Sequence, residues 1–403
     1  MERREFVTMM AGAMAAGRLG APAVRRAHHA SPIQASTLGP EVFARRRERL
    51  RAELTNRDLS IFVSEPGTNF EYLVGYSPGR SERLILLMVP AVGEPVIVCP
   101  SFEVERVRRN SHLTDIRGWE EHDDPWDLVK PAAQTMRPKR GGGKIAIEGS
   151  TRYQMVLRMQ RALTGWQLRD GTEAIDRLRL IKSLEELSLI QRAIGITEAS
   201  IAATFGQLAA GMTERDVSRI LSREMQTRGG SGGGLVQFGP SSALPHGGPG
   251  GTPLAKETVV LIDAGADVES YTSDITRTIW FGDAPSDEFK RVFNTVHDAQ
   301  TAAMELAKPF TVECQQLDRA ARAHITSAGL GEFFTHRLGH GMGMDGHEHP
   351  YLVEGNDTRL EAGMVFTIEP GIYQLGKWGV RIEDDCVMTN TGLEVMSQRP
   401  AKL

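Results

Sequence analysis

The fold is indicated most clearly by ETVVLIDAGADVESYTSDITRTIW, residues 257–280. Its apolar run 259–262 predicts a buried strand that ends at Asp263. Asp274 follows eleven residues after Asp263, beyond the turn-like segment ADVES. Two antiparallel strands joined by such a turn would bring these two carboxylates side by side. Because a carboxylate that closes an apolar strand is costly unless it is paired or bound to a metal, the pair is a candidate metal site.

Two later segments also present a carboxylate from a strand. MVFTIEPG places Glu369 after an apolar run and before a proline. In GVRIEDDCVM, the period-two alternation predicts one strand with Arg381, Glu383 and Asp385 on the same face. Taken singly, each carboxylate is more typical of a solvated strand end. Together they would repel one another by roughly several kcal/mol in a partly buried site, so two divalent cations are predicted to neutralise them.

Four histidines crowd into HRLGHGMGMDGHEHP, at His336, His340, His347 and His349. The first two have the spacing of an HExxH zinc helix, but Arg337 occupies the place of the general-base glutamate. Each helical glycine costs about 1 kcal/mol relative to alanine, so the glycine-rich segment after them predicts an extended chain. At most one or two of these histidines can bind a metal directly.

Composition narrows the class of protein. The chain has 403 residues, of which 40% are hydrophobic and 24% charged, as expected for a globular protein with two domains. The formal net charge of −4 and the lack of a long basic run argue against nucleic acid as a partner. Cys99, Cys314 and Cys386 lie too far apart for a thiolate cluster or a disulfide framework. A metal must therefore be held by His, Asp and Glu.

Strand and helix patterns alternate along the chain, which indicates an α/β fold with a domain boundary near residues 172–182. Thr213 is the predicted N-cap of a helix that ends at Gly229. The glycine run 229–234 lacks the context of a phosphate-binding loop and is interpreted as a flexible connection. Helices are predicted over residues 41–54, 184–211, 213–229, 286–308 and 312–328.

The N-terminus, MERREFVTMMAGAMAAGRLGAPAVRRA, has two interpretations for residues 1–30. Arg3 and Arg4, the short apolar stretch and the Ala-Pro-Ala sequence ending at Ala23 are typical of a twin-arginine signal peptide, which predicts a periplasmic or secreted protein. The alternative is a disordered tail on a cytoplasmic protein. The apolar stretch is too short for stable membrane insertion.

Four motifs together carry a family resemblance: DAGAxxxxYxSDxTRT, GHGxGxxxHE, TIEPGIY and GVRIEDD. Through them the chain resembles the pita-bread metallopeptidases, which include methionine aminopeptidase, aminopeptidase P and prolidase. The resemblance implies a pita-bread catalytic domain over residues 180–400. Residues 38–172, with NFEYLVGYSP and RLILLMVP, resemble the creatinase/prolidase-type N-terminal α/β domain.

The same resemblance implies a ligand set for two divalent metal ions. Asp263 would chelate one ion, Asp274 and Glu383 would bridge the pair, and His340 with Glu369 would complete the second site. Four carboxylates and one imidazole form a hard donor set that favours Mn(II), with Co(II) or Zn(II) as alternatives.

Catalytic roles follow from the resemblance as well. Glu369 would be both a metal ligand and the general base that shuttles the proton. His347 matches the histidine that contacts the substrate carbonyl and stabilises the developing oxyanion. His246, in SSALPHGG, matches the second histidine that faces the substrate.

Other residues near the motifs are expected to have supporting roles. Arg381 would orient a bridging carboxylate, and Tyr271 would support the site through its hydroxyl. His336 is expected to be structural, and His349 to have a rim or substrate-tuning role.

The function implied is hydrolysis, by a metal-bridging hydroxide, of the Xaa-Pro bond at the N-terminus of a peptide with proline in second position. The chain would be an Xaa-Pro dipeptidase (prolidase) or an Xaa-Pro aminopeptidase, and the family suggests a homodimer. The alternatives are a creatinase-like enzyme that cleaves a C–N bond without metal and a non-catalytic binding protein of the same fold. A solute-binding protein of another fold would leave the carboxylates unexplained.

Overall fold

The computed structural model describes residues 38–139, 142–248 and 250–403. They form two compact units that divide between Arg179 and Leu180. The proposed signal peptide, residues 1–30, lies outside the described residues. No helix in the described part of the chain is long and apolar enough to cross a membrane.

The N-terminal unit is a mixed six-stranded sheet with surrounding helices. Its helices are α1 (Pro40–Asn56), α2 (Thr68–Val74), α3 (Val104–Asn110), α4 (Trp126–Thr135), α5 (Tyr153–Ala162) and α6 (Thr172–Leu180). Its strands are β1 (Ile61–Ser64), β2 (Leu86–Pro90), β3 (Val96–Pro100), β4 (Ile116–Trp119), β5 (Gly143–Ile147) and β6 (Trp166–Asp170). The strand order is β4-β3-β2-β1-β5-β6. Strands β1, β2 and β3 are fully buried, which explains why they read as continuous apolar runs in the sequence.

The C-terminal unit contains two helix pairs and three separate antiparallel sheets. Its helices are α7 (Leu184–Phe205), α8 (Glu214–Thr227), α9 (Asp287–Leu306) and α10 (Cys314–Ser327). Its first strands are β7 (Ser231–Phe238), β8 (Thr258–Val268), β9 (Tyr271–Thr272) and β10 (Ile275–Phe281). The later strands are β11 (Gly339–Gly341), β12 (Glu348–Leu352), β13 (Val365–Ile368), β14 (Gly371–Gln374), β15 (Trp378–Arg381), β16 (Asp384–Thr389) and β17 (Gly392–Val395).

The strands of the first half of this unit form one sheet, and those of the second half form the other two. Strands β10, β8 and β7 form one sheet, with β9 paired to β8. The second sheet has the order β12-β11-β13-β16-β17, and β14 pairs with β15 as a separate ribbon. A large core cluster packs helices α9 and α10 against strands of the second sheet and the ribbon. The second sheet and the ribbon are therefore supported by helices on one side.

The two halves of this unit repeat one architecture. In each, a long helix is followed by a 14-residue helix and then by sheet strands. The N-cap of each shorter helix makes an isolated β-bridge, Thr213 with Pro253 and Glu313 with Arg359. No periodicity in the sequence indicates this repeat, because the two copies share element order and turns but few side chains.

Two strand predictions were wrong in ways that matter for the site. The strand predicted to end at Asp263 continues to Val268. The single strand predicted over 379–388 is interrupted after Arg381, and β15 and β16 belong to different sheets. Both errors arise because period-two alternation does not reveal where a strand leaves one sheet for another.

The glycine run 229–234 is also not a flexible connection, because most of it forms the start of β7. A Cβ at Gly234 would lie 2.5 Å from the Asp263 carbonyl oxygen and 2.7 Å from the Ala264 Cβ. Glycine therefore permits β7 to pack closely on β8 beside Asp263.

The predicted N-cap of α8 is present. The Thr213 hydroxyl accepts from the Asp216 amide at 3.2 Å, and Asp216 accepts from the Thr213 amide at 2.8 Å.

We expect Thr213→Ala to lower the free energy of unfolding by about 1 kcal/mol, because it removes a capping box. Urea denaturation would measure the change. Thr227→Ala, at the exposed end of the same helix, is the control, and an equal loss there would contradict the capping assignment.

Candidate metal centre

The first sheet contributes two of the predicted ligands. Asp263 lies within β8, and Asp274 lies between β9 and β10. Thr276 is the partner of Asp263 in the antiparallel ladder, so Asp274 approaches Asp263 from the adjacent chain. A carboxylate oxygen of each lies within 4.8 Å of the other. The two strands thus bring the carboxylates together, as the sequence predicted, although β8 does not end there.

The second half of the unit contributes the other three. His340 lies in β11, Glu369 follows β13 directly, and Glu383 lies where β15 gives way to β16. His340 is 2% exposed and Glu383 is 2% exposed, so both side chains are withdrawn from solvent. The interruption after Arg381 allows the chain to turn Glu383 toward the centre instead of continuing the ladder.

The donor atoms form three overlapping sets, and within each set they lie within 4.8 Å of one another. Two sets consist of predicted ligands: Asp263, Asp274 and Glu383, and His340, Glu369 and Glu383. The third joins His347 to Asp274 and His340. His340 Nε2 lies 3.4 Å from Glu369 Oε1 and 3.7 Å from Asp274 Oδ2. All five predicted ligands therefore converge, and Glu383 belongs to the two sets that consist of predicted ligands.

Arg381, the last residue of β15, holds the set of Asp263, Asp274 and Glu383 in place through hydrogen bonds. Its Nη2 donates to Asp263 Oδ2 at 2.6 Å, and its Nε donates to Thr276 Oγ1 at 3.0 Å. Thr276 Oγ1 in turn donates to Glu383 Oε2 at 2.5 Å. Arg381 thus contacts Asp263 directly and reaches Glu383 mainly through Thr276. Its own Nε lies 3.9 Å from Glu383.

Tyr373 is a buried partner that the sequence reasoning missed. Its hydroxyl lies 2.8 Å from Arg381 Nη1 and 2.8 Å from His336 Nε2. His336 therefore supports Arg381 through one hydroxyl, in keeping with the structural role expected of it. The only signal in the sequence was the position of Tyr373 in the TIEPGIY motif.

Gln300, on α9, was also missed and carried no signal. It is fully buried, and its Nε2 donates to the Ile368 carbonyl and to Asp384 Oδ2, each at 2.9 Å. These acceptors belong to the residues that adjoin Glu369 and Glu383. One side-chain amide from the helix thus contacts the residues beside two predicted ligands.

Asp385 supports Asp274 in a similar way. Its side chain is fully buried, and its Oδ2 accepts from the Asp274 amide at 3.1 Å. The sequence had placed Asp385 on one strand face with Glu383, but β16 starts only after Glu383.

The two histidines expected to face the substrate are exposed. The His347 ring lies 3.9 Å, centroid to centroid, from that of His340. The loop that carries His246 approaches Arg381, whose Nη1 lies 3.5 Å from the Pro245 carbonyl. Both histidines are therefore near the carboxylate cluster on its solvent side.

Two other expectations concerned the surroundings. His349 is exposed, and its ring centroid lies 4.8 Å from that of Tyr351. The Tyr271 hydroxyl donates to Glu186 Oε1 at 2.8 Å, which connects β9 to the start of α7.

Comparison with known proteins identifies the family. The profile of metallopeptidase family M24 matches residues 188–390, half of the chain. The chain belongs to this family. The creatinase/prolidase N-terminal domain matches residues 46–181. An uncharacterized peptidase of Staphylococcus aureus strain bovine RF122 / ET3-1 is 37% identical over 351 residues, which are 86% of this chain and 96% of the relative.

Solved structures agree with this assignment. The dipeptidase PepE from Mycobacterium ulcerans is 34% identical, with a TM-score of 0.84 over 91% of this chain and 99% of its own. A prolidase from Thermococcus sibiricus is 30% identical, with a TM-score of 0.83 and the same coverage. The predicted resemblance and fold class are confirmed: this M24 peptidase joins a creatinase/prolidase-type α/β domain to a C-terminal pita-bread domain.

The electrostatics of the M24 peptidase suit divalent cations. Burial, followed by repulsion from neighbouring carboxylates, raises the pKa of Asp274 and of Glu369 well above the ordinary range. The same causes raise the pKa of Glu383 to about 8. Cations between the carboxylates would offset this repulsion. The donor set is hard and crowded, and it fits two divalent ions.

The His340 ring is neutral and has a defined tautomer, as binding to a metal would require. Burial, then the neighbouring His347, lowers its pKa to about 3. Its Nδ1 lies 3.1 Å from the Gly341 carbonyl, which accepts a hydrogen bond from the Nδ1–H tautomer. The Nε2 lone pair then points to the carboxylates.

Removing metal should make stability fall with rising pH. The ordinary pKa of Glu383 is 4.5, against about 8 in the folded protein. Between those values the metal-stripped folded state keeps a proton that the unfolded chain has lost, so this stabilisation is present at low pH and lost as pH rises through about 8. We expect the urea midpoint to fall across this range.

The control is Glu383→Gln, which removes this titration and should make the fall in stability shallower; Asp274 and Glu369, whose pKa values are also raised, would account for the remaining fall. Mn(II)-loaded protein should lack the fall, because ligands bind metal deprotonated. A metal-stripped protein that gains stability toward pH 8 would contradict the assigned cause.

Proposed function

We propose that this M24 peptidase is a dinuclear-metal exopeptidase that hydrolyses the Xaa-Pro bond of short peptides, with dipeptides as its preferred substrates. The observation that carries the proposal is the convergence of two donor sets on Glu383. The similarity to a prolidase and to a dipeptidase supports the reaction class.

Five residues would hold two Mn(II) ions: Asp263, Asp274, His340, Glu369 and Glu383. When bound, the ions would supply Lewis acidity and lower the pKa of water. Asp274 and Glu383 are placed to serve both positions, since Asp274 lies near His340 and near Asp263. Arg381 and Thr276 keep the oxygens of Asp263 and Glu383 oriented.

Glu369 would move the proton. Its Oε1 lies at the inner edge of the site, 3.4 Å from His340 Nε2. As a carboxylate it would accept a proton from the attacking water and return it to the leaving proline nitrogen. Its Ile368 neighbour is held by Gln300, so the carboxylate has a fixed base from which to act.

His347 and His246 would bind the substrate carbonyl. Partial desolvation, then the charge of Arg337, lowers the pKa of His347, so its ring is neutral near pH 7. A neutral ring can donate one N–H to the oxygen on which negative charge develops. His246 also lowers the pKa of His347, and it would bind the same ligand.

The position and charge of Arg337 favour dipeptides over longer peptides as substrates. Its guanidinium stacks 4.4 Å from the Tyr351 ring centroid. Within residues 38–139, 142–248 and 250–403, this guanidinium has no carboxylate or hydrogen-bond acceptor as a partner. Its charge nevertheless acts on His347 and Glu369. An unpaired cation beside the centre suits the free carboxylate of a dipeptide, which lies one residue from the scissile bond.

The alternatives make different demands. A creatinase-like enzyme without metal, or a non-catalytic binding protein, has no need of five convergent donors, and the chain keeps all five. About two divalent ions per chain would exclude both, whereas function without metal would support them. The homodimer, the identity of the metal and export by a twin-arginine signal stay predictions.

The first test is hydrolysis of Ala-Pro by the metal-stripped chain beginning after Ala23 and resupplied with Mn(II). We expect cleavage, and we expect Glu369→Gln to lower kcat by about 10²- to 10⁴-fold, the range of general base catalysis. Exposed Glu332→Gln is the matched control and should retain activity. Full activity in Glu369→Gln with metal bound would show that the proton shuttle is misassigned.

A second test addresses peptide length. We expect Arg337→Met to raise KM for Ala-Pro by about 10- to 100-fold, the value of a hydrogen bond to a charged group, and to change KM for Ala-Pro amide little. Arg319→Met, at an exposed position, is the control. If wild type cleaves Ala-Pro-Ala as well as or better than Ala-Pro, the protein is an aminopeptidase and the role of Arg337 is wrong.

A further inference from the structure

An ion pair outside the donor sets is almost completely buried. Lys182 Nζ lies 2.6 Å from Glu348 Oε1, and the two side chains are 1% and 10% exposed. Taking both charges out of water is costly, and a buried pair of this kind contributes little net stability. The pair therefore calls for an explanation other than stability.

Lys182 is fixed in place by its backbone. It lies between α6 and α7, and its amide donates to the Gly363 carbonyl at 2.9 Å. Gly363 has φ +92°, and a Cβ there would lie 2.7 Å from Ile181 Cγ2, so the turn requires glycine. This turn precedes β13, and Glu369 follows that strand directly. The ammonium is thus carried on the same framework as a metal ligand.

Glu348 is the first residue of β12 and follows His347 directly. Its ladder partner is Gly341, and the register shifts between His340 and Gly341. Beside this irregularity, two successive side chains contact different partners. Glu348 turns to Lys182, while the His347 ring lies 3.9 Å from the His340 ring.

The loop between His340 and His347 packs directly on the pair. A Cβ at Gly343 would lie 2.9 Å from Glu348 Oε1 and 3.1 Å from Lys182 Cε. The Gly343 carbonyl accepts from the Thr272 amide at 2.9 Å, next to the chain that bears Asp274. Two anchors, the ion pair and β9, therefore hold a loop that is otherwise rich in glycine.

His347 is exposed, so packing around its own ring does little to hold it. We propose that Lys182 is a positioning residue: through Glu348 it clamps the 342–348 loop and holds His347 over the metal centre, in reach of the substrate carbonyl. This inference rests on the proposed function, because it specifies how one substrate-binding histidine is aimed. A misplacement of about 1 Å at such a group can cost about 10²-fold in rate.

The experiment separates positioning from folding. Lys182→Met alone removes the ammonium that pairs with the buried Glu348 carboxylate, so we expect the variant to unfold more easily. The double variant K182M/E348L replaces the pair by apolar side chains and should recover the melting temperature. We expect its kcat on Ala-Pro to stay about 10- to 100-fold low with two Mn(II) still bound, because the loop is no longer anchored. Lys182→Arg, which keeps a positive charge beside Glu348, should have a kcat between that of K182M/E348L and that of the wild type.

The matched control removes an exposed ion pair of the same length. Lys377 Nζ lies 2.6 Å from Glu288 Oε1 at the surface, and K377M/E288L should leave kcat unchanged. Full kcat in K182M/E348L, with metal bound, would overturn the proposal.

A second measurement keeps the inference apart from the proposed function. The imidazole NMR signal of His347, assigned with His347→Gln, should broaden or shift in K182M/E348L, whether or not peptides are cleaved. If wild type cleaves no Xaa-Pro peptide, the proposed function fails while this signal still tests the clamp. An unchanged His347 signal would overturn the clamp by itself.

Discussion

Packing four carboxylates into one partly buried place is the constraint on which the C-terminal unit depends. Asp263, Asp274, Glu369 and Glu383 repel one another, and burial raises the pKa of three of them. The charge of Arg381 offsets only part of this repulsion. It is tolerated because rigid strands hold each carboxylate and because cations can lie between them.

A layer of partners behind the ligands holds this geometry. Arg381 brings a positive charge to Asp263 and, through Thr276, to Glu383. Gln300 holds the chain beside both glutamates from a helix. These partners come from different sheets and helices, so losing any one of them would move a ligand without removing it.

Several features could be predicted because they are local. The cap at Thr213 and the apolar run before Glu369 depend on neighbours a few residues away, and both are present. The five donors were predicted because specific motifs surround them, and the structure brings them together. Where a strand leaves its sheet was not predictable, as the break after Arg381 and the glycine-rich start of β7 show.

The class of protein, the helix starts and the chemical identity of the donors could be read from the chain alone, since motifs and short-range periodicity record them directly. Which partners hold the donors depended on tertiary packing. Lys182 meets Glu348 across 166 residues, and Arg381 meets Asp263 across 118. Such pairs depend on how sheets and helices pack, because a buried charge is satisfied by whichever group the fold brings within reach.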